Sequence, residues 1–339
     1  MIFDFQKLLG CLRDLSRPEL LTLDAAVRGI LSAPPPPTST ERPSDMPGSG
    51  PTPSSEAPCE GIGAIEAAFV LAPECPHCQS KRIGRWGTAN RLKRYRCKDC
   101  KISFNCLTGT PLAQLHKREL WAGHAQVLVD GISVRKCAAR LDVNLKTAFR
   151  WRHRFLRAPK VVKALKVQGT VEADETFFRR SFKGCRKLLR KPHKRGGHDA
   201  KPGLSDDQVP VLIVQDRTAE TATTDAILPD RSAEAIEAHL GPVIDARAVL
   251  VTDADGSFSA FANKREIAHV SLNASKNERS WEGYHIQHVN AYCNELKGWM
   301  YRFRGVATKY LDSYLGWHRM NDRDGNTQTA RRVLAAAWG

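Results

Sequence analysis

Two Cys-x-x-Cys pairs, Cys75/Cys78 in CPHC and Cys97/Cys100 in CKDC, are separated by 18 residues. No other feature constrains the chain so tightly. Each pair makes a tight knuckle that aims two thiolates at one tetrahedral ion, the arrangement of a structural zinc ribbon. Five of the ten cysteines fall between Cys75 and Cys106 and the rest are scattered, which is a cluster rather than a disulfide ladder. Cys106, six residues beyond the second knuckle, reads as core. His77 can compete as a ligand, but four thiolates already close the site.

The charge is as uneven as the cysteines. Residues 63–165 carry 21 basic and 6 acidic groups, net +15, against −3 for residues 1–62 and +4 for 166–339. A positive surface concentrated in this way suits a polyanion better than a small neutral metabolite. Within it, residues 131–156 have the form of a helix-turn-helix. Val134, Cys137, Ala138 and Leu141 make one apolar stripe, Asp142-Val143-Asn144 supplies a turn, and Ala148, Phe149, Trp151 and Phe155 pack the second helix. That second helix carries Lys146, Arg150, Arg152 and Arg154, the candidate contacts to double-stranded DNA, with His153 among them.

The domain organisation expected from the sequence is as follows. Residues 1–31 have the periodicity of a helical pair, and residues 32–62 form a Pro/Ser-rich linker, with nine prolines from Ser32 to Pro58, that cannot bury a core. The ribbon occupies 63–115 and the helix-turn-helix 116–160. A catalytic α/β domain covers 165–325 and leaves 326–339 as a tail. No apolar run reaches the length of a membrane span and no signal-peptide pattern opens the chain, so a cytoplasmic protein is expected.

In the α/β part, Val167 to Phe178, Val209 to Asp216 and Ala248 to Asp253 read as strands, Arg231 to Ile244 and His285 to Arg304 as helices. This order predicts a mixed sheet flanked by helices, as in RNase H-like nucleases. Asp174 interrupts the first apolar strand and Asp253 closes AVLVTD. A carboxylate in such a place is costly unless paired, hydrogen-bonded or holding a cation. Two of them on adjacent strands make a cradle for Mg²⁺ or Mn²⁺. On the long helix Asn294 and Lys297 lie about 40° and −20° from Asn290, and Glu295 about 140° away, so Asn290 with Lys297 is favoured over Glu295 as the third element. An amide oxygen brings no charge, so Glu172 or Asp255, each two residues from one of the acids, are possible supplementary ligands. The segment Arg179 to Lys201, with ten Lys and Arg and one acid, is either a DNA-lining insertion or a solvated loop.

The phrases CPHC…YRCKDCKISFNCLTGTPLA, VEADETFF, VLVTD and HIQHVNAYCNELKGWMYRFRGVATKYLDSYLGWHRM resemble the insertion-sequence transposases of the ISXO-type group, family fifteen-ninety-five, over about residues 70–322. The resemblance implies an N-terminal zinc ribbon, a helix-turn-helix and an RNase H-like DDE domain in which some subgroups replace the third acid by Asn, with Lys seven residues later. By that pattern Asp174, Asp253 and Asn290 are catalytic and Lys297 contacts the scissile phosphate. The activity implied is a DNA transposase with structural Zn²⁺ and catalytic Mg²⁺ or Mn²⁺. It would bind the terminal inverted repeats of its element and target DNA, work as a dimer or larger during synapsis, and belong to a bacterial cytoplasm, nucleoid-associated when bound. Two other readings stand beside it: a transposase-derived DNA-binding regulator whose nuclease site has decayed, and a zinc-stabilised structural or RNA-binding protein.

Overall fold

The computed structural model describes residues 60–188, 207–218 and 221–339. The expected N-terminal helical pair, all but the last residues of the linker and residues 189–201 of the basic insertion lie outside the described residues. Helix α1 (Glu60–Leu71) leads into a three-stranded antiparallel sheet, β1 (Ile83–Ala89), β2 (Leu92–Cys97) and β3 (Ser103–Asn105), in the order β1-β2-β3. On β2 every buried residue but one follows the two-residue strand period. Tyr95 packs between Phe104 (6.0 Å between ring centroids) and Phe69 of α1 (5.0 Å).

Helices α2 (Trp121–Val129), α3 (Val134–Arg140), α4 (Leu145–Phe155) and α5 (Arg157–Val161) follow. The turn expected at Asp142-Val143-Asn144 is there. Asp142 takes a left-handed φ of 46°, Val143 is buried, and the Asn144 side chain accepts a hydrogen bond from Lys146 N, capping α4. Ser133 caps α3 in the same way. The stripe that faces inward on α4 is Ala148, Trp151 and Phe155. Phe149 departs from the expectation. It is 41% exposed, because it falls one residue past the stripe, with its ring against those of His153 and Tyr310.

The second sheet contains β4 (Thr170–Arg179), β5 (Gln208–Asp216), β6 (Thr223–Ile227), β7 (Val249–Asp253) and β8 (Ala268–Leu272) in the order β6-β5-β4-β7-β8. β4, β5 and β6 pair antiparallel, while β7 and β8 join parallel. The intervening helices, α6 (Ala233–Leu240) and α7 (Gly256–Arg265), are the crossovers that parallel pairing requires. A mixed sheet flanked by helices fits the RNase H-like class.

Alternation along the strands assigns the faces. Val171 and Ala173 of β4, with Leu212 and Val214 of β5, pack under α6 and α7; Val211 and Ile213 turn to the opposite face. That face is covered by α8 (Gln287–Tyr301), with α9 (Leu311–Asp324) behind it. Gly316 of α9 lets α5 come close, since a Cβ there would stand 2.6–2.9 Å from backbone atoms of Pro159 and Lys160. Arg319 of α9 donates to the carbonyls of Val162 (3.0 Å) and Pro159 (3.2 Å) and pairs with the buried Asp225 of β6.

The chain ends on α10 (Ala330–Trp338) rather than on the tail expected over 326–339. Val333, Leu334 and Ala337 are buried, and Trp338 Nε1 donates to Cys106 O at 2.8 Å. One apolar core therefore runs from the small sheet through the helices to α8, α9 and α10. No helix among the described residues is long and apolar enough to cross a membrane.

Candidate active site

The parallel register between β4 and β7 places the two acids. Glu172 pairs with Val251, the last pair of that ladder, so two residues further Asp174 comes level with Asp253. Period-two alternation puts both carboxylates on the face covered by α8. Both are half-buried, and among the described residues neither has a salt bridge. Burial, reinforced by Asp253, pushes the Asp174 carboxyl up to about 6. Asp253 is raised as well, by burial first and then by the charge of Asp255, against a bond from Asp255 N. Carboxylates made uncomfortable by each other and by poor solvation are good ligands for a hard cation.

Helix α8 lies over these strands with Val289, Cys293, Leu296 and Met300 as its buried stripe. Lys297 acts electrostatically on Asp174, and burial drives Cys293, which feels both of those charges, up to about 12. Glu295 points elsewhere: its charge is felt by Tyr292 and by Asp322 of α9. Asn290 is exposed in the first turn of α8 and shares its face with Lys297.

Neither supplementary acid is free. Glu172 is fully buried and accepts from His288 N (3.0 Å), Val289 N (3.1 Å), His288 Nδ1 (2.6 Å) and Arg217 Nε (2.8 Å). It is the N-terminal cap of the helix that carries Asn290 and Lys297. Although burial opposes ionisation, these donors hold its carboxyl below the usual range. Asp255 caps α7 through Ser257 N (2.8 Å) and pairs with Arg231, which also holds Glu175 at 2.7 Å. Glu172, with four donors on its two oxygens, and Asp255, with a backbone N–H and a guanidinium, are both tied into the structure as supports beside the two acids. The sequence signal for Glu172 was its place two residues before Asp174 on one face; nothing in the sequence pointed to Arg217.

The four cysteines also converge. Their sulfurs lie within 4.8 Å of one another, with Cys75 and Cys100 at 3.7 Å and Cys78 and Cys97 at 3.5 Å. A tetrahedral ion with metal–sulfur bonds near 2.3 Å requires about 3.8 Å between sulfurs, so the set fits zinc. Burial opposes ionisation at Cys97, but the N–H groups of Cys100 and Asp99 bring its thiol down to about 6. Cys106 is buried outside the cluster, as expected, and His77 is exposed and outside it.

Of the four basic residues expected to meet DNA, Lys146 and Arg150 are exposed on α4. Arg152 is not available, and Arg154 is half-buried. Arg152 is fully buried, donates to Ile132 O and lies 4.9 Å over the Trp317 ring. Arg154 donates to the carbonyls of Pro111 and Ala113. The physical reason is position: Arg152 follows Trp151 into the stripe that α9 covers.

Residues 166–317 match the model of the ISXO2-like transposase domain. An uncharacterized protein in transposable element ISH50 of Halobacterium salinarum is 27% identical over 256 residues, which cover 71% of this chain and 82% of that protein. Among solved structures, a chain of a simian T-cell lymphotropic virus intasome is 10% identical with a TM-score of 0.29, covering 62% of this chain and 73% of that one. A chain of a pre-cleavage Mos1 transpososome is 12% identical with a TM-score of 0.19, covering 64% and 79%.

Proposed function

We propose that the protein, whose residues 166–317 match the ISXO2-like transposase domain, is an active DNA transposase that cuts the ends of its own element and joins them to target DNA. The observation that carries this reading is the pair Asp174 and Asp253, level on adjacent strands, raised by burial and without a salt bridge among the described residues. Asp174, Asp253 and the amide oxygen of Asn290 would hold Mg²⁺ or Mn²⁺. When bound, such an ion lowers the pKa of the attacking water and stabilises charge on the leaving oxygen. The chain's own residues do the rest. Lys297 steadies the scissile phosphate by its charge, and Glu172 fixes the helix that presents Asn290 and Lys297.

The first displacement breaks the phosphodiester at the element end, water supplying the new P–O bond and the 3′ oxygen leaving as a hydroxyl. In the second, that 3′-hydroxyl attacks a target phosphodiester, whose own 3′ oxygen departs. Both are in-line displacements at phosphorus, so one constellation serves both. The four-cysteine cluster would hold structural Zn²⁺, and the ribbon with α3 and α4 would read the terminal inverted repeats. Synapsis of two ends requires at least two copies.

Strand cleavage of labelled DNA bearing the repeats that flank the gene is the deciding experiment, run with Mg²⁺ or Mn²⁺. Metal-dependent nicking at the repeat boundary is expected. Tight, salt-sensitive binding of the same ends with no cleavage in either metal would instead favour a DNA-binding regulator with a decayed nuclease, the reading to which the uncharged Asn290 lends support.

The two arginines on α4 separate binding from folding. Arg150→Ala should weaken binding to any duplex, lower the salt slope by about 1 and leave the melting temperature unchanged. Arg152→Ala should cost about 2–4 kcal/mol of stability, since it leaves a cavity against Trp317 and an unpaired carbonyl at Ile132. Titrations of binding against salt beside thermal melts check both. Equal loss of binding by two variants of equal stability would refute the assignment.

A further inference from the structure

The segment between β8 and α8 ends in a feature that no step above uses. Trp281 and Tyr284 form an isolated antiparallel bridge in which each N–H donates to the other's carbonyl, at 3.0 and 2.7 Å. The two residues between them, Glu282 (φ 48°) and Gly283 (φ 84°), both take left-handed backbone, as the tightest hairpin turn demands. Directly opposed residues project their side chains to one side of such a ribbon. Here the indole and phenol rings lie stacked, with centroids 6.2 Å apart and planes 19° from parallel. Trp281 is nonetheless 54% exposed. A large aromatic surface held rigid and left open to water is unfavourable in isolation and is the kind of surface a partner covers.

The tip is held by the same residues that hold the active-site helix. Arg217 donates through Nη1 to Gly283 O (3.0 Å), through Nη2 to His285 O (2.8 Å) and through Nε to Glu172 (2.8 Å). Glu172 in turn caps α8 and stands two residues, about 6.6 Å along the strand, before Asp174 on the same face. The hairpin is therefore fixed relative to the proposed cleavage centre. Its charges balance, with Lys276 and Arg279 against Glu278 and Glu282, so phosphate attraction does not account for it. Its aromatic faces match the one part of a nucleic acid that is planar and uncharged.

We propose that Trp281, backed by Tyr284, is a stacking platform for a nucleobase unstacked from the DNA end beside the scissile phosphate. This inference rests on the nuclease reading of Asp174 and Asp253 and adds to it a second contact, to a base rather than to the backbone. The platform has no hydrogen-bonding code, so it holds any base and acts through stacking. Unstacking a base costs a few kcal/mol, and least where the base is mismatched or already single-stranded.

The test uses the full chain and element-end DNA in which 5-iodouracil replaces single bases next to the cleavage position. Irradiation should cross-link the protein at the peptide containing Trp281, as read by mass spectrometry. Trp281→Ala should lose that cross-link and slow cleavage by about 5- to 150-fold, the range for one base–aromatic stack. Trp281→Phe should restore most of the rate, and so should Trp281→Ala acting on DNA whose terminal pair is already mismatched. If wild-type protein cleaves, Trp281→Ala cleaves equally fast and no cross-link reaches this peptide, the platform is refuted while the nuclease reading stands. If wild-type protein neither cleaves nor cross-links, both fall. A Trp281→Ala variant that changes sedimentation but not cross-linking to DNA would make the tip a contact between copies, and would also overturn the proposal.

Discussion

Asp253→Ala should abolish the proposed cleavage of element ends, by at least about a thousandfold, while leaving their binding intact. A thousandfold corresponds to about 4 kcal/mol of transition-state stabilisation, a scale expected when one of two charged ligands is removed from a cation that serves both the attacking and the leaving oxygen. Asp174→Asn should behave alike. The same pair predicts a pH dependence whose sign is set by the raised carboxyl of Asp174. Its value of about 6 in the folded chain lies above the ordinary 3.8, so without a cation its contribution to stability is complete at low pH and is lost as pH rises through about 6. A divalent cation competes with that proton. The rise in melting temperature produced by Mg²⁺ or Mn²⁺ should therefore be small near pH 5 and grow toward neutrality, and Asp174→Asn should flatten both profiles. A metal-induced shift independent of pH in the wild-type protein would mean that the cation binds elsewhere.

Removing zinc, or replacing Cys97 by Ser, should unfold the small sheet and cost nearly all specific binding to DNA ends. Besides the four thiols, the sheet is held by Tyr95, Phe104 and Phe69, which join it to the main core, and by surface pairs such as Arg82 with Asp99 at 3.2 Å. Binding energy of a structural ion is folding energy when no site exists in the unfolded chain. Because Trp338 reaches back to Cys106 and α1 packs on the sheet, the loss should also lower the melting temperature of the remaining domain. Metal analysis for one zinc per chain, followed by melting and end-binding with a chelator and then with zinc restored, measures each part. Full stability in a zinc-free protein would refute the assignment.

What could be read from the sequence was whatever depends on short-range periodicity and on chemical type. Four thiols at ribbon spacing, a capped pair of helices across Asp142–Asn144 and two acids set into apolar strands are local facts, and the fold brings the cysteines together and Asp174 level with Asp253. Helical geometry alone likewise separates Lys297, whose charge reaches Asp174, from Glu295, whose charge is felt by Tyr292. Where the sequence reading failed, the deciding neighbour was remote in the chain. Arg152 is withdrawn from the exposed face of α4, where Trp317 covers it, and residues 330–338 form a core helix because α2 offers them an apolar face. Glu172 and Asp255 have the composition of ligands, but Arg217, His288 and Arg231 engage them. Type and spacing fix what a side chain is able to do, whereas whether it is free to do it depends on which groups packing brings within hydrogen-bond reach, and that only the tertiary structure decides.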